Sequence, residues 1–152
     1  MKAELRVIEG TKNQEPSADN ARRYGAQDRW TQQLGRHFTP VSDYFLGNYH
    51  RLRPHENARG LSSAEAMLVI QLMSFKRDGR APFPSHKTLA TRMGISERMV
   101  RQHVRALVEL GYLQCERKTA GGVNRYHLEP LFTALEKLMA ADAARPDLEE
   151  AS

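Results

Sequence analysis

The chain has 152 residues, 40% of them hydrophobic and 27% charged, with a formal charge of +5 at pH 7. That length suits one domain with tails rather than two, and the composition is that of a soluble globular protein. No apolar run reaches the roughly eighteen residues of a membrane span, the polar start MKAELRVIEGTKNQEPSADN has no signal-like apolar core, and the single Cys115 excludes an internal disulfide framework.

In chain order, residues 1–37 read as a polar arm whose first twenty positions are expected to be mobile. Over residues 21–37 the pattern is ambiguous. Tyr24, Trp30 and Leu34 would line a helix that Gly25 and Gly35 weaken, and Trp30 is expected to meet an apolar surface on the domain or on a partner. The ordered domain is expected from about Phe38, with Pro40 leading into a short helix that ends near Gly47 or Asn48. RPHENARG is a loop. LSSAEAMLVIQLMSFKRDG predicts a core helix opened by a capping box of Ser62 and Glu65. Its predicted inner face is Ala64, Leu68, Leu72 and Phe75, widened by Met67, Ile70 and Met73, with closure at Asp78-Gly79.

After the breaker-rich RAPFPS, Ser85 is placed to cap a second helix with Leu89, Ala90 and Met93 inward. Gly94 ends it and Ser96 caps a third helix, which runs to a left-handed Gly111 and buries Val100, Val104, Leu107 and Val108. YLQCER and VNRYHLE alternate as strands around a glycine-paired hairpin tip, with Cys115 read as a half-buried strand residue in a reducing compartment. A last helix opens with Pro130 at its first position and carries Leu131, Leu135, Leu138 and Met139 on one side. The fold class is therefore mostly α with a small β-hairpin (α+β). Its expected parts are a winged helix-turn-helix over 38–128, a helix over 129–141 and an acidic tail over 142–152.

The turn between the second and third helices has a physical signature. Ala90 is small where the helices cross, Gly94 permits the positive φ of a three-residue reversal, Ile95 plugs the core beneath it and Val100 anchors the third helix. Charge concentrates here: between Ser85 and Leu128, eight Lys and Arg stand against three Glu, so this stretch alone carries +5.

With Val100 and Val104 inward, the third helix displays the residues of a DNA-recognition helix. Arg98, Arg101 and Gln102 are the candidate base readers, since Arg pairs with guanine and Gln with adenine in bidentate fashion. Glu97 is either a cytosine reader or a filter against non-cognate sites. Ser96, Thr88 and Arg105 are candidate phosphate contacts, as are His86 and Lys87, because helix N-termini attract phosphate. On the hairpin, Arg117, Lys118 and Arg125 flank AGG and form a basic wing for the phosphate backbone or the minor groove.

Over residues 38–128 the chain resembles a bacterial winged-helix family found in plasmid and phage replication initiators and in helix-turn-helix regulators. The matching motifs are Pro84-Ser85, Leu89-Ala90, Gly94-Ile95-Ser96 and Leu110-Gly111-Tyr112-Leu113. The resemblance implies DNA binding without choosing between regulator and initiator, and it omits the arm and the terminal helix.

An enzyme is not expected. The histidines, His37, His50, His55, His86, His103 and His127, have no metal-ligand spacing, and the paired glycines at 121–122 lie in a hairpin rather than a phosphate loop. The first expectation is a cytoplasmic, nucleoid-associated transcriptional regulator on double-stranded DNA, with no metal, cofactor or small-molecule substrate. A replication or plasmid-maintenance factor on origin repeats is the alternative, and a protein–protein module the third. The apolar side of the last helix suggests a homodimer or packing onto its own domain, and the aromatic arm is a second dimer candidate.

Overall fold

The computed structural model describes residues 25–76, 78–117 and 125–145. The first part of the expected arm, the hairpin tip with Lys118, and the acidic tail from residue 146 lie outside the described residues. The chain divides into two compact units, one ending at Phe38 and the other starting at Thr39.

In the first unit, α1 (Ala26–Arg29) is only four residues long. Gly25 precedes it and donates its N–H to the Asp28 carboxylate at 2.8 Å. A 3-10 turn, Leu34–Arg36, folds back so closely that a Cβ on Gly35 would lie 2.4 Å from the Gln27 backbone. The two glycines thus limit the helix rather than merely weakening it. Trp30 is 71% exposed, and Leu34 and Phe38 are exposed too, so these turns do not cover their own aromatic and aliphatic side chains.

The second unit begins with α2 (Asp43–Asn48), capped by Ser42, and a 3-10 turn, Tyr49–Arg51. Then come α3 (Ser63–Ser74), α4 (His86–Met93), α5 (Glu97–Glu109), β1 (Gln114–Glu116), β2 (Arg125–His127) and α6 (Glu129–Ala143). The unit is mostly helical with one small antiparallel ribbon, the α+β class expected from the sequence. Helices α3, α4 and α5 pack mutually. Leu68 and Leu72 of α3, Leu89 of α4, Val100 and Leu107 of α5, Tyr126 of β2 and Leu131 of α6 form the fully buried centre.

The capping box of α3 is present in both directions: Ser62 Oγ accepts from Glu65 N–H, and the Glu65 carboxylate accepts from Ser62 N–H. Its inner face differs from the predicted one. Ala64 and Met67 are exposed, whereas Glu65, Ala66, Leu68, Val69 and Leu72 are buried. The observed face includes Glu65, which is 2% exposed and takes two 2.7 Å bonds from the Arg59 guanidinium. Burial pushes its pKa up, but the Arg59 and Ser62 hydrogen bonds outweigh this and hold it below the usual carboxylate value. A glutamate neutralised in this way can share the face of i, i+3, i+4 and i+7 with leucines. The helix also ends sooner than expected, at Ser74, with Phe75 as its half-buried cap. Asp78 instead closes a local turn, accepting from Arg80 N–H and pairing with its guanidinium.

The ribbon is shorter than the alternation suggests. β1 pairs antiparallel with β2 through Gln114↔His127, Cys115↔Tyr126 and Glu116↔Arg125. Tyr112 and Leu113 are buried just ahead of it. Tyr126 and Leu128, on one side of the predicted alternation, are buried, but Cys115 is exposed rather than half-buried, as are Gln114 and Glu116 on either side of it.

Helix α6 starts one residue before Pro130, which therefore occupies its second position. Leu131, Phe132, Ala134, Leu135 and Leu138 pack on the domain's own core, while Met139, predicted to join them, is exposed. Asp142, which composition assigns to the acidic tail, belongs to this helix. It receives Arg51 Nη1 at 2.8 Å, Arg51 Nη2 at 2.7 Å and the Tyr44 hydroxyl at 2.7 Å. Arg51 first and Tyr44 second hold the Asp142 carboxyl well below the usual carboxylate range.

A depressed folded-state pKa means that this cluster stabilises the fold above the unfolded Asp value, near 3.9, and that the contribution fades as the pH falls below it. Asp142→Asn is expected to lower the melting temperature at pH 7, with the gap to wild type narrowing on acidification below about pH 4. A gap that is constant with pH would mean that the ion pair contributes nothing.

Candidate nucleic-acid interface

The direction of α5 is set by the turn before it. Ser85 Oγ accepts from Thr88 N–H to start α4. At the far end, Gly94 adopts φ 68°, and the N–H groups of both Gly94 and Ile95 reach the Ala90 carbonyl. This left-handed closure lets the chain reverse at once. Ser96 then caps α5 by accepting from Met99 N–H at 3.1 Å. At the C-terminal end, Gly111 has φ 83°, Gly111 N–H bonds to the Val108 carbonyl and Tyr112 N–H to that of Leu107. These two bonds form a Schellman closure, which turns the chain toward the ribbon.

Val100, Val104 and Leu107 fix the rotation of α5 about its own axis. Val108, predicted to be buried, is 42% exposed because one further residue carries the side chain about 100° around the helix. The opposite stripe holds Arg98, Arg101, Gln102 and Arg105, all exposed, at the i, i+3, i+4 and i+7 spacing of a single helix face. Arg101 stands 3.8 Å from Glu97 one turn earlier. An exposed pair of this kind is worth little, so Arg101 can be redirected at small cost. Arg98 and Arg105 form no ion pair among the described residues.

The N-terminal turn of α4 lies beside this stripe. Lys87 and Thr88 are exposed, and the Thr88 hydroxyl shares a 2.9 Å hydrogen bond with that of Ser85. His86 is placed differently from a simple phosphate contact. Its ring lies 6.4 Å from that of Tyr126, and its Nε2 is sealed from solvent without a hydrogen-bond partner. Burial first, then the charge of Arg101, lowers its pKa; Glu97 raises it and Arg117 lowers it again. Those influences show that the starts of α4 and α5 and the root of the ribbon converge on one patch. Arg117 is exposed just after β1, and Arg125 is half-buried at the start of β2, opposite Glu116. Both ribbon arginines flank the undescribed tip that carries Lys118.

Some charge elsewhere is structural. Arg92 donates to Gln71 at 2.9 Å and lies 4.8 Å above the Phe75 ring, tying α4 to α3. Arg51 and Arg59 are committed to Asp142 and Glu65. His103 is half-buried, and His127 lies 3.1 Å from Glu116 on the ribbon. Among the described residues, no His, Cys, Asp or Glu cluster could hold a metal, and no helix is long and apolar enough to cross a membrane.

A family model described as the DnaD N-terminal domain matches residues 42–145. The chain belongs to the DnaD N-terminal domain family. The family is replication-related. Its span runs from the Ser42 cap to Arg145, just past the end of α6. It therefore takes in the terminal helix, which the motif resemblance leaves out, and with it the Asp142 cluster. No curated protein matches the chain.

The turn itself can be tested. A Cβ on Gly94 would meet open space, so Gly94→Ala should cost only the strain of a positive φ, about 1–2 kcal/mol in urea unfolding. Gly94→Asn should cost less. Equal stability for all three proteins would show that the left-handed residue does not set the reversal.

Proposed function

We propose that this DnaD-family domain is a winged helix-turn-helix replication factor that binds double-stranded DNA in a sequence-specific manner. The observation that carries this reading is the exposed stripe of Arg98, Arg101, Gln102 and Arg105, held opposite the Val100–Val104–Leu107 anchor. In this mode the first turns of α5 enter the major groove. Arg98, Arg101 and Gln102 read base edges, and Glu97 disfavours unsuitable ones. Ser96, Thr88, Lys87 and Arg105 hold the phosphates, with His86 buttressing the start of α4 from within. Arg117, Lys118 and Arg125 place the ribbon along the neighbouring backbone.

Membership of a replication-related family favours the initiation role, on origin repeats, over the regulator expected first. The protein then acts in the cytoplasm by binding and holding DNA, without a catalytic step. Packing of α6 on its own core supports the intradomain reading of that helix over a dimer role. The exposed Trp30, Leu34 and Phe38 are the better candidates for self-association on repeated sites.

The test is to retain fragments of host genomic DNA on the purified protein and sequence them. A discrete motif clustered in an origin is the expected result. Promoter sites would favour regulation, and retention without any motif would remove the sequence-specific reading. Arg98→Ala with Arg101→Ala should lower affinity for the selected site about tenfold or more per arginine, with the melting temperature unchanged. Unchanged binding would refute the assignment of this face. Arg117→Ala should instead weaken all sequences alike and reduce the salt-dependence slope by roughly one.

A further inference from the structure

Between α3 and α4 the chain reads Pro82-Phe83-Pro84, and the three residues are not treated alike. Both prolines are buried, whereas Phe83 between them is 56% exposed. Proline fixes its own φ and confines the residue before it to extended backbone, so Pro84 restricts Phe83 directly while Pro82 stiffens the chain that leads into it. The Tyr126 N–H also donates to the Pro82 carbonyl at 3.0 Å, which pins this segment to β2. An aromatic ring is thus held out to solvent on a backbone with little freedom to withdraw it.

The elements that adjoin this segment carry basic groups. Ser85 caps α4 two residues later and Lys87 is exposed two residues beyond that. His86 between them lies within electrostatic reach of Arg101, Glu97 and Arg117. On the ribbon side, Arg125 adjoins Tyr126, whose N–H holds Pro82. On the start of α4, the first turns of α5 and the ribbon root, Lys87, Arg101, Arg117 and Arg125 outnumber Glu97 and Glu116. A fixed aromatic at the edge of a cationic track is the composition of a platform on which unpaired bases stack while the phosphates are neutralised. In an intact duplex the bases are already stacked on one another, and a ring beside the backbone finds no free base face.

We infer that Phe83 is a stacking platform for an unpaired DNA base, so that the domain prefers duplex adjoining a melted strand to intact duplex. This rests on the DNA-binding face proposed above and extends it from the grooves to the strand that leaves them. It gives a replication protein a means of remaining at a site once the duplex has opened.

The experiment compares the full chain on two fluorescent probes: a short duplex carrying the selected site, and the same duplex with a single-stranded extension. A fluorescent adenine analogue occupies the first unpaired position of the second probe. The wild type should bind the extended probe tighter, on the order of tenfold, and should quench the analogue. Phe83→Ala should bind both probes equally, with the affinity for intact duplex and the melting temperature retained. Phe83→Tyr should keep the preference, and Phe83→Leu, apolar but without a ring, should lose it. Equal wild-type binding to both probes, a preference that survives in Phe83→Ala, or full activity in Phe83→Leu overturns the stacking role while the duplex-binding proposal stands. Failure of the wild type to bind the intact duplex overturns that proposal, and this inference with it.

Discussion

The left-handed residue at Gly94 is the constraint on which the arrangement of this domain depends. With φ at 68°, the N–H groups of Gly94 and Ile95 turn back onto the Ala90 carbonyl, and the chain leaves α4 in the direction that α5 must take. A side chain there would strain the backbone although space is available for it. Once the direction of α5 is set, Val100, Val104 and Leu107 set its rotation by reaching the same core as Leu68, Leu72 and Leu89. The polar stripe of Arg98, Arg101, Gln102 and Arg105 then faces outward because no other orientation buries the valines and the leucine.

Two carboxylates secure the rest of the domain by different balances. Glu65 lies within the core, where desolvation is costly, and is tolerated because Arg59 and the Ser62 cap give both oxygens partners. Asp142 sits nearer the surface, where desolvation is small, and its three hydrogen bonds fasten the end of α6 to the α2 segment. The first is thereby accommodated on the inward face of α3, beside Leu68, Val69 and Leu72. The second makes α6 an integral layer of the domain, in keeping with the family match that runs to Arg145.

The arginines sort by the same logic. Those with carboxylate, amide or aromatic partners, Arg51, Arg59 and Arg92, tie elements together. On the outer stripe of α5, Arg98 and Arg105 form no ion pair among the described residues and Arg101 has only the loose Glu97 pair, while Arg101 and Arg117 lie within electrostatic reach of His86, whose pKa burial lowers. A basic total spread over the whole chain would say little about partners. Concentrated on one side of the turn, it gives the proposed DNA-reading face its character.

Local interactions made much of this legible in the sequence. The caps at Ser62, Ser85 and Ser96, the reversals at Gly94 and Gly111, and the alternation that buries Tyr126 and Leu128 each depend on residues within a few positions of one another. The stripe on α5 follows from them by helical periodicity. Only the tertiary structure decided the inner face of α3, the exposure of Val108, Met139 and Cys115, the inward Nε2 of His86, and the partners of Asp142. Arg51 and Tyr44 are 91 and 98 residues from Asp142, and no local pattern encodes a bond across that separation. Short-range spacing determines which elements form and what each displays. The packing of distant elements decides which displayed groups stay free, because burial and pairing depend on neighbours that come together only in the folded chain.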